Sequence, residues 1–378
     1  MSLFRTLCSG LLLCLLSAGS LWSCTTFCFP TENGWVYGRN YDWMADDCLI
    51  MVNKRDMTKR AATEDNPLTW TSRYGSVTFN QYGREFPLGG MNEAGLVIEC
   101  MWLEQTEYPV ADARKGIGEL QWIQFQLDTS ASVAEVIASS ARARITLFRT
   151  FPLHFLVCDR QGDAAVIEYL EGVMRVYTGS DLPYTALTNN TYAYCRRFTE
   201  AVKNNEEGPA FRFGGYSLKR FLWAAKGAMG WKGQPDQSAI DYAFAVLAKA
   251  AVEGTQFRIV YHSGEGRVHF QTKRNSKRRW LDAACFDFAC SQPCMVFPIH
   301  SGETGDITKQ FVAYTYEQNL ELLQQSYQKT PMLKNVSQES LVQVAKLPDT
   351  FSCAGVAEAE MEEVGAAADS AENEGQTP

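Results

Sequence analysis

Histidine is scarce in this chain of 378 residues, which contains only His154, His262, His269 and His300. No two cysteines are separated by two residues, and no His-Glu-X-X-His stretch occurs, so the spacings of common zinc sites are absent. So few histidines also argue against catalysis by a Cys–His pair or a Ser-His-Asp triad. We therefore expect neither a metal nor a cofactor.

An excess of positive charge is also lacking, because 35 Lys and Arg residues face 43 Asp and Glu residues. Seven of the acidic residues lie in 354–378, which has no basic residue, so the rest of the chain carries a net charge of −1. We expect this tail to be disordered and solvated. No basic stripe predicts a nucleic-acid partner, and the run 273–279 is interpreted as a charged hairpin turn.

Long apolar runs are missing except at the N terminus. Arg5 precedes an apolar run from about residue 7 to residue 22, and Ser23 follows it. This layout predicts a signal peptide over 1–23, and the run is too short and too poorly flanked for a good membrane span. We therefore expect an exported protein, periplasmic or secreted, whose mature chain begins at Cys24.

Cleavage after Ser23 would place a thiol nucleophile and a free α-amine on the same residue. An α-amine has a pKa of about 7.7–8.0, which suits a general base at neutral pH. Two other interpretations stay open at this point. Cys24 could be an ordinary cysteine after a cleavage site at Ala18 or Ser20, or the lipid-modified cysteine of a bacterial lipoprotein.

The residues after Cys24 predict a β-hairpin, with strand-like runs at 24–30 and 35–43 and a polar turn at 31–34. Such a hairpin brings Arg39 and Asp42 close to Cys24. A guanidinium near a thiol favours the thiolate, and a carboxylate can accept a hydrogen bond from the α-amine. An ordinary Arg–Asp ion pair is the other explanation of this spacing.

A cysteine followed by GRNYDW (38–43) resembles the choloylglycine hydrolase and penicillin V acylase family of N-terminal-nucleophile hydrolases. Further similar stretches occur in the family's order: WTSRYGSV (70–77), MNEAGLVIECMWLEQTEYP (91–109), AVIEYLEG (165–172), ALTN (186–189) and SLKRF (217–221). The first two are most similar to Gram-negative members. The resemblance implies an α+β fold, a four-layer αββα sandwich, which we expect over 24–353.

The resemblance also implies roles for individual residues. Cys24 corresponds to the nucleophile and Arg39 and Asp42 to its partners. Asn189, at the end of ALTN, corresponds to the residue whose side-chain amide stabilises the oxyanion. Arg220, in SLKRF, corresponds to a second active-site arginine. A turn-forming asparagine and a surface arginine are the alternatives for the last two.

Two tryptophans are candidates for substrate binding. Trp102 falls where the family's second oxyanion donor, a backbone N–H, is expected. Trp43 and Trp102 together predict an apolar acyl pocket, although core packing would explain both. Departures from the family pattern also occur: Asn189 is followed by Asn190 and Thr191 instead of a small residue and proline, and only 31 positions separate it from Arg220. The oligomeric state therefore stays open.

Patterns of apolar and β-branched residues predict the remaining elements. Strands are expected at 74–79, 96–102, 154–158, 164–169, 173–177, 256–261, 267–272 and 280–286, and helices at 117–128, 132–142, 217–229, 237–252 and 316–329. For the cysteines, a disulfide between Cys290 and Cys294 is possible. Cys285 is expected to be a buried free thiol.

The sequence as a whole predicts an exported cysteine hydrolase that cleaves a linear amide C–N bond through a thioester. Penicillin V, conjugated bile acids, N-acyl homoserine lactones and other N-acyl amines are the candidate small-molecule substrates. An acid-ceramidase-like N-acyl amide hydrolase is an enzymatic alternative. A lipid-anchored binding protein with the same fold and no activity is the alternative from another class.

Overall fold

The computed structural model describes residues 24–146, 148–149, 151–233 and 238–354. The predicted signal peptide and residues 355–378 of the predicted acidic tail lie outside the described residues. Within these residues, no helix has the length and apolar character needed to cross a bilayer.

Most of the described chain is built of short, buried strands. In chain order they are β1 (Thr25–Pro30), β2 (Trp35–Asp42), β3 (Leu49–Asn53), β4 (Met57–Arg60), β5 (Thr69–Thr71), β6 (Ser76–Asn80), β7 (Pro87–Asn92), β8 (Val97–Trp102), β9 (Lys115–Gly118), β10 (Ala143–Thr146), β11 (Leu153–Cys158), β12 (Ala164–Leu170), β13 (Val173–Thr178), β14 (Ala186–Leu187), β15 (Thr255–His262), β16 (Arg267–Thr272), β17 (Arg279–Asp282), β18 (Met295–Pro298), β19 (Gly305–Asp306), β20 (Val312–Ala313) and β21 (Ser352–Cys353).

Two large sheets contain most of these strands. The first has seven strands in the order β14-β1-β2-β15-β16-β17-β19, and the second has nine in the order β13-β12-β11-β8-β7-β6-β3-β18-β20. Strands β9 and β10 form a small parallel pair, and β21, β4 and β5 form a three-stranded sheet. Aromatic and aliphatic side chains from both large sheets meet in one core, which includes Phe27, Tyr37, Phe79 and Phe155.

The helices cover the outer faces of the two large sheets. They are α1 (Glu119–Thr129), α2 (Val133–Ala138), α3 (Tyr192–Val202), α4 (Pro209–Arg212), α5 (Tyr216–Gly230), α6 (Ala239–Ala250), α7 (Tyr316–Lys329) and α8 (Gln338–Lys346). Helices α5 and α6 pack on β1, β2 and β15, while α1 packs on β7 and β8. On the same sheet as α1, Leu322 of α7 packs against Leu49 and Val296 of β3 and β18. This order of layers confirms the αββα sandwich.

The predicted N-terminal hairpin is confirmed. Strands β1 and β2 pair antiparallel from Thr25 opposite Asn40 to Pro30 opposite Trp35. Gly34 closes the turn with a φ of +80°, and a Cβ at this position would lie 2.7 Å from the backbone nitrogen of Gly264. Only glycine satisfies both requirements.

The predicted elements agree with the structure in place and type, apart from four differences. The helix expected at 117–128 begins only at Glu119, because Ile117 and Gly118 belong to β9. The helix expected at 132–142 ends at Ala138 and continues as a 3-10 turn, because the chain must then enter β10. The strand expected at 280–286 stops at Asp282, whose carboxylate accepts from the Ala284 backbone and starts a 3-10 turn. Gln237, in the helix expected at 237–252, lies outside the described residues.

The suggested Cys290–Cys294 disulfide is wrong, because Cys290 is bonded to Cys353 and Cys294 is a free, buried cysteine. Cys285 is free but exposed, so its predicted burial is also wrong. It lies in the 3-10 turn that follows β17. The sequence could not reveal that β21 returns to pair with β4, which brings Cys353 to Cys290.

Candidate active site

Cys24 lies immediately before β1, a strand enclosed between β14 and β2. Its side chain is buried, with 5% of the residue exposed, and its thiol donates to the backbone carbonyl of Asp42 over 3.8 Å. Strand β14 pairs with β1 and leads into Asn189, and helix α5, which carries Arg220, packs on β1. Both candidate residues therefore lie close to Cys24. The family-derived residues therefore come together from separate parts of the chain.

Arg39 extends from β2 of the first sheet into the second sheet. Its guanidinium donates to the backbone carbonyls of Leu88 at 3.1 Å and Cys100 at 3.0 Å, and it forms a short ion pair with Glu99. Glu99 also accepts a hydrogen bond of 2.5 Å from the Tyr261 hydroxyl. Both members of the ion pair are fully buried, so Arg39 is fixed in one position between the sheets.

The thiol of Cys24 shows the two opposing effects that a buried nucleophile experiences. Burial raises its pKa, while the positive charge of Arg39 lowers it and Asp42 raises it further. The net pKa is above the ordinary value, so burial outweighs Arg39 in this chain. The expected assistance from Arg39 exists, but it does not by itself make the thiol acidic.

Arg220 connects the other polar groups of the site from helix α5. Its Nη1 donates to the Cys24 carbonyl at 2.7 Å and to the Thr25 hydroxyl at 2.6 Å, and its Nη2 donates to Asn189 Oδ1 at 3.2 Å. Asp42 Oδ2 lies 3.9 Å from Nη1. Arg220 is fully buried, so the surface-charge interpretation of this residue is wrong.

Asp42, at the end of β2, is buried beside the main chain at Cys24. No described residue donates a well-formed hydrogen bond to either of its carboxylate oxygens. Burial raises the pKa of this carboxyl to about 6, against the effects of Arg220 and of the Thr255 hydroxyl. A buried carboxylate with spare acceptor capacity is suited to receive a donor such as an α-ammonium.

Asn189 follows β14 and its side chain reaches the second sheet. Its Nδ2 donates to the backbone carbonyl of Trp102 at 2.9 Å, and its backbone N–H donates to Ser217 Oγ at 3.1 Å. One hydrogen of the side-chain amide is used in the bond to Trp102, which leaves the second for another acceptor. Asn189 is thus in direct contact with the main chain at Trp102.

A pocket with about 370 Å³ of empty space opens beside Cys24, and little of this space is wide enough for a water molecule. Its walls are mostly aromatic and aliphatic: Tyr41, Trp43, Tyr82, Leu88, Met101, Trp102, Leu120, Phe151 and Leu153, with Arg39 and Cys100 beside the thiol. Trp43 and Trp102 both line it, with ring centroids 5.7 Å apart. The pocket is therefore narrow and apolar.

Hydrogen bonds fix the aromatic walls of the pocket. Trp43 Nε1 donates to the Tyr82 hydroxyl at 2.7 Å, and that hydroxyl lies 2.9 Å from the Thr330 hydroxyl. Phe151 stacks at an angle on Tyr82, with centroids 5.1 Å apart. Its own backbone N–H donates to the buried Glu119 carboxylate.

Sequence reasoning missed several residues that shape the site. Glu99 sits in a strand of apolar residues, where a lone acid at a predicted core position is a signal of a buried ion pair. Tyr82 and Phe151 have no such signal, because aromatic residues near loops occur throughout this chain. Their place in the pocket depends on contacts between elements far apart in sequence.

The sequence model of the linear amide C–N hydrolases, choloylglycine hydrolase family, matches residues 24–263. The chain belongs to this family. A penicillin V acylase from Pectobacterium atrosepticum is 30% identical over 193 residues, which are 46% of this chain and 50% of that protein. The chain thus matches about half the length of this curated relative.

Two solved structures share the fold. A penicillin V acylase from Agrobacterium tumefaciens superposes with a TM-score of 0.65 at 23% identity, over 77% of this chain and 98% of the other. A variant of the conjugated bile acid hydrolase from Clostridium perfringens superposes with a TM-score of 0.59 at 18% identity, over 74% of this chain and 98% of the other. At these identities the likeness shows a shared fold.

Proposed function

We propose that this protein is an exported hydrolase of linear amides in which Cys24, once it is the first residue, is the nucleophile. The observation that carries the proposal is the arrangement of Arg39, Asp42, Asn189 and Arg220 around Cys24 at the end of an apolar pocket. Family membership supports amide chemistry, and the signal-peptide layout of 1–23 supports export.

In the proposed reaction, the Cys24 α-amine takes the thiol proton and the sulfur attacks the amide carbon. Negative charge develops on the carbonyl oxygen, which the second Asn189 amide hydrogen and the backbone N–H near Trp102 stabilise. The C–N bond breaks, and the leaving amine receives the proton from the α-ammonium. Water then hydrolyses the thioester, which releases the carboxylic acid and regenerates the thiol.

Asp42 and Arg220 position the main chain and amine of Cys24 in this scheme. Asp42 accepts a hydrogen bond from the α-amine and so orients it toward the thiol. Arg220 holds the Cys24 carbonyl and the Asn189 side chain at the same time, so the nucleophile and the oxyanion donor keep a fixed relation.

The narrow aromatic pocket supports an apolar acyl group as the part of the substrate bound beside Cys24. The penicillin V acylases among its relatives make phenoxyacetyl amides the first substrates to test. Glycine-conjugated bile acids, N-acyl homoserine lactones and an N-acyl sphingosine complete the panel, the last as a test of the ceramidase-like alternative.

The deciding experiment combines intact mass with turnover of the protein recovered from an exporting host. We expect a chain that starts at a free Cys24, and a Cys24→Ser variant whose turnover falls at least about 1,000-fold. Cys285→Ser is the matched control, because this cysteine is free and exposed and does not line the pocket. Unchanged turnover in Cys24→Ser would overturn the mechanism.

The mass measurement also separates the non-catalytic alternative. A diacylglycerol-sized increase on Cys24 would identify a lipid-anchored protein, because lipid modification consumes the thiol and its acylation blocks the amine. A start at any other residue would likewise remove the proposed base. In both cases the amide hydrolase proposal fails.

A further inference from the structure

His154, on β11, is the one histidine that lies beneath the candidate site, and it is fully buried. Its Nε2 lies 2.6 Å from the backbone carbonyl of Thr188, and its Nδ1 lies 3.0 Å from Glu168 Oε1 on the adjacent strand β12. Both ring nitrogens therefore face oxygen atoms that accept hydrogen bonds. The imidazole donates to both only when each nitrogen carries a hydrogen.

Glu168 also binds the backbone at the start of α3. Its Oε1 accepts a hydrogen bond of 2.7 Å from the backbone N–H of Tyr192, the first residue of that helix. The N-cap residue, Thr191, makes no capping hydrogen bond with its side chain. The carboxylate of Glu168 thus replaces the missing cap and sits where the helix dipole favours negative charge.

Together the two side chains hold both ends of the turn from Thr188 to Tyr192. His154 fixes the carbonyl at the beginning of the turn, and Glu168 fixes the N–H at its end. Asn189 lies between these two points and directs its side-chain amide to Trp102. The second sheet therefore sets the position of an asparagine that is carried by the first sheet.

We propose that His154 and Glu168 are a positioning pair that aligns the Asn189 amide for oxyanion stabilisation. This inference rests on the proposed function of the same site. Neither residue lines the pocket beside Cys24, so they act through Asn189 and not on the substrate. A displacement of about 1 Å at a catalytic group can cost about 100-fold in rate, which is the scale on which such a pair acts.

A double-mutant cycle tests the pathway of this effect. We expect His154→Leu to lower kcat about 10- to 100-fold with KM nearly unchanged, and Asn189→Ala to lower it about 100- to 1,000-fold. If His154 acts through Asn189, the double variant has the same kcat as Asn189→Ala alone. Losses that multiply would overturn the proposal.

Asn319→Ala is the matched control for a general loss of stability. Asn319 is also fully buried and also joins two segments, since it accepts from the Arg84 N–H and donates to the Ala345 carbonyl. We expect this variant to unfold at a lower temperature while kcat is retained. A fall in kcat that simply follows the unfolding temperature in both variants would count against a positioning role.

A measurement that needs no turnover separates this inference from the proposed function. In protein labelled with ¹⁵N-asparagine, the Asn189 side-chain resonances are those absent from Asn189→Asp. We expect His154→Leu to shift or broaden them, and Asn319→Ala to leave them in place. Glu168→Gln, which keeps the acceptor oxygen, is expected to shift them less than Glu168→Ala and serves if His154→Leu does not fold.

Unchanged Asn189 resonances in a folded His154 or Glu168→Ala variant would overturn the positioning proposal, whatever the enzyme does. Absence of amide hydrolysis by the unsubstituted protein would overturn the proposed function, and the resonances would still decide the structural claim. The two failures are therefore distinguishable.

Discussion

At the scale of single residues, the Cys24 thiol is surrounded by charges that nearly compensate one another. Arg39 favours the thiolate, but its charge is already paired with Glu99, and burial raises the pKa of the thiol above its ordinary value. A nucleophile in this setting needs a base beside it. This requirement fits the proposal that the α-amine of the same residue takes the proton.

Asp42 gives a testable pH dependence in the chain in which residue 23 is still joined to Cys24. Burial raises the pKa of its carboxyl from 3.8 to about 6, so the folded state binds this proton more tightly than the unfolded state. The contribution of Asp42 to stability is therefore present at low pH and is lost as the pH rises from about 4 to about 6. The loss is about 3 kcal/mol.

In Asp42→Asn this loss of stability with rising pH should be absent. The difference in unfolding free energy, variant minus parent, should therefore increase between pH 4 and pH 6. Denaturant titrations at pH 4, 5, 6 and 7 would measure it, with Asp163→Asn, an exposed carboxylate, as the control. In a chain that begins at Cys24, the α-ammonium should lower the Asp42 pKa and move the window to lower pH. An identical pH dependence in the parent and Asp42→Asn would contradict this assignment.

At the scale of elements, the first turn of α1 supports one wall of the pocket. The Glu119 carboxylate accepts from the backbone N–H groups of Phe148, Arg149 and Phe151, at 3.0, 2.8 and 3.3 Å. Phe151 lines the pocket, so the helix and the wall form one unit. The shape of the pocket thus depends on a residue that does not line it.

Glu119→Ala is expected to raise KM for an aromatic acyl amide about 10-fold, with a smaller change in kcat, because the Phe151 wall loses its fixed position. Steady-state kinetics with phenoxyacetyl and short aliphatic amides would measure the effect, which should be larger for the aromatic group. Glu135→Ala is the control, since Glu135 also lies in the first turn of a helix and accepts a backbone N–H, from Ala131. Equal effects of both variants would argue against this role.

The sequence predicted most elements because their signals are local. Alternating or continuous apolar runs marked β8, β11 and β12, and β-turn residues marked the hairpin that carries Arg39 and Asp42. The sequence predicts no helix over 192–202, where α3 lies, because the cap that would mark its start is supplied by Glu168 from a different strand. Likewise, Glu99 and His154 could not be assigned a role, since their partners are distant in the chain.

For the site, the resemblance supplied residues that pattern alone would not have connected. Asn189 and Arg220 are far from Cys24 in sequence, and in the structure Arg220 contacts both of the other residues. The balance of charge at Cys24 could not be predicted, because burial is a property of the packed sheets. The resemblance therefore predicts which residues meet at the site, whereas the electrostatics of the site depend on the packed structure.

At the scale of the whole molecule, one disulfide joins the end of the described chain to the body. Cys290 and Cys353 are 63 positions apart, and the bond fastens β21 beside β4. Closing a loop of this length limits the unfolded state and contributes about 2–4 kcal/mol to stability. It lies outside the pocket, so its effect should be on unfolding and not on chemistry.

Cys353→Ser is expected to lower the denaturant midpoint of unfolding while kcat at 25 °C is retained. Urea titrations with and without a reductant would measure it. The reductant should lower the midpoint of the parent protein to that of Cys353→Ser, and it should leave the midpoint of the variant unchanged. Cys285→Ser should leave the free energy of unfolding within about 0.5 kcal/mol of the parent value, because this exposed thiol forms no disulfide. A midpoint that the reductant does not change would contradict the prediction.

The position of Arg39 between the two large sheets has a further consequence. Cys24 precedes a strand of one sheet, whereas the pocket wall with the Trp102 carbonyl belongs to the other, so the two halves of the candidate site meet between the sheets. Any core substitution that alters the spacing of the sheets changes the distance between Cys24 and the main chain at Trp102. Substitutions deep in the core can therefore alter the geometry of this candidate site without touching it. Retaining the site also requires that the packing between the two sheets is conserved.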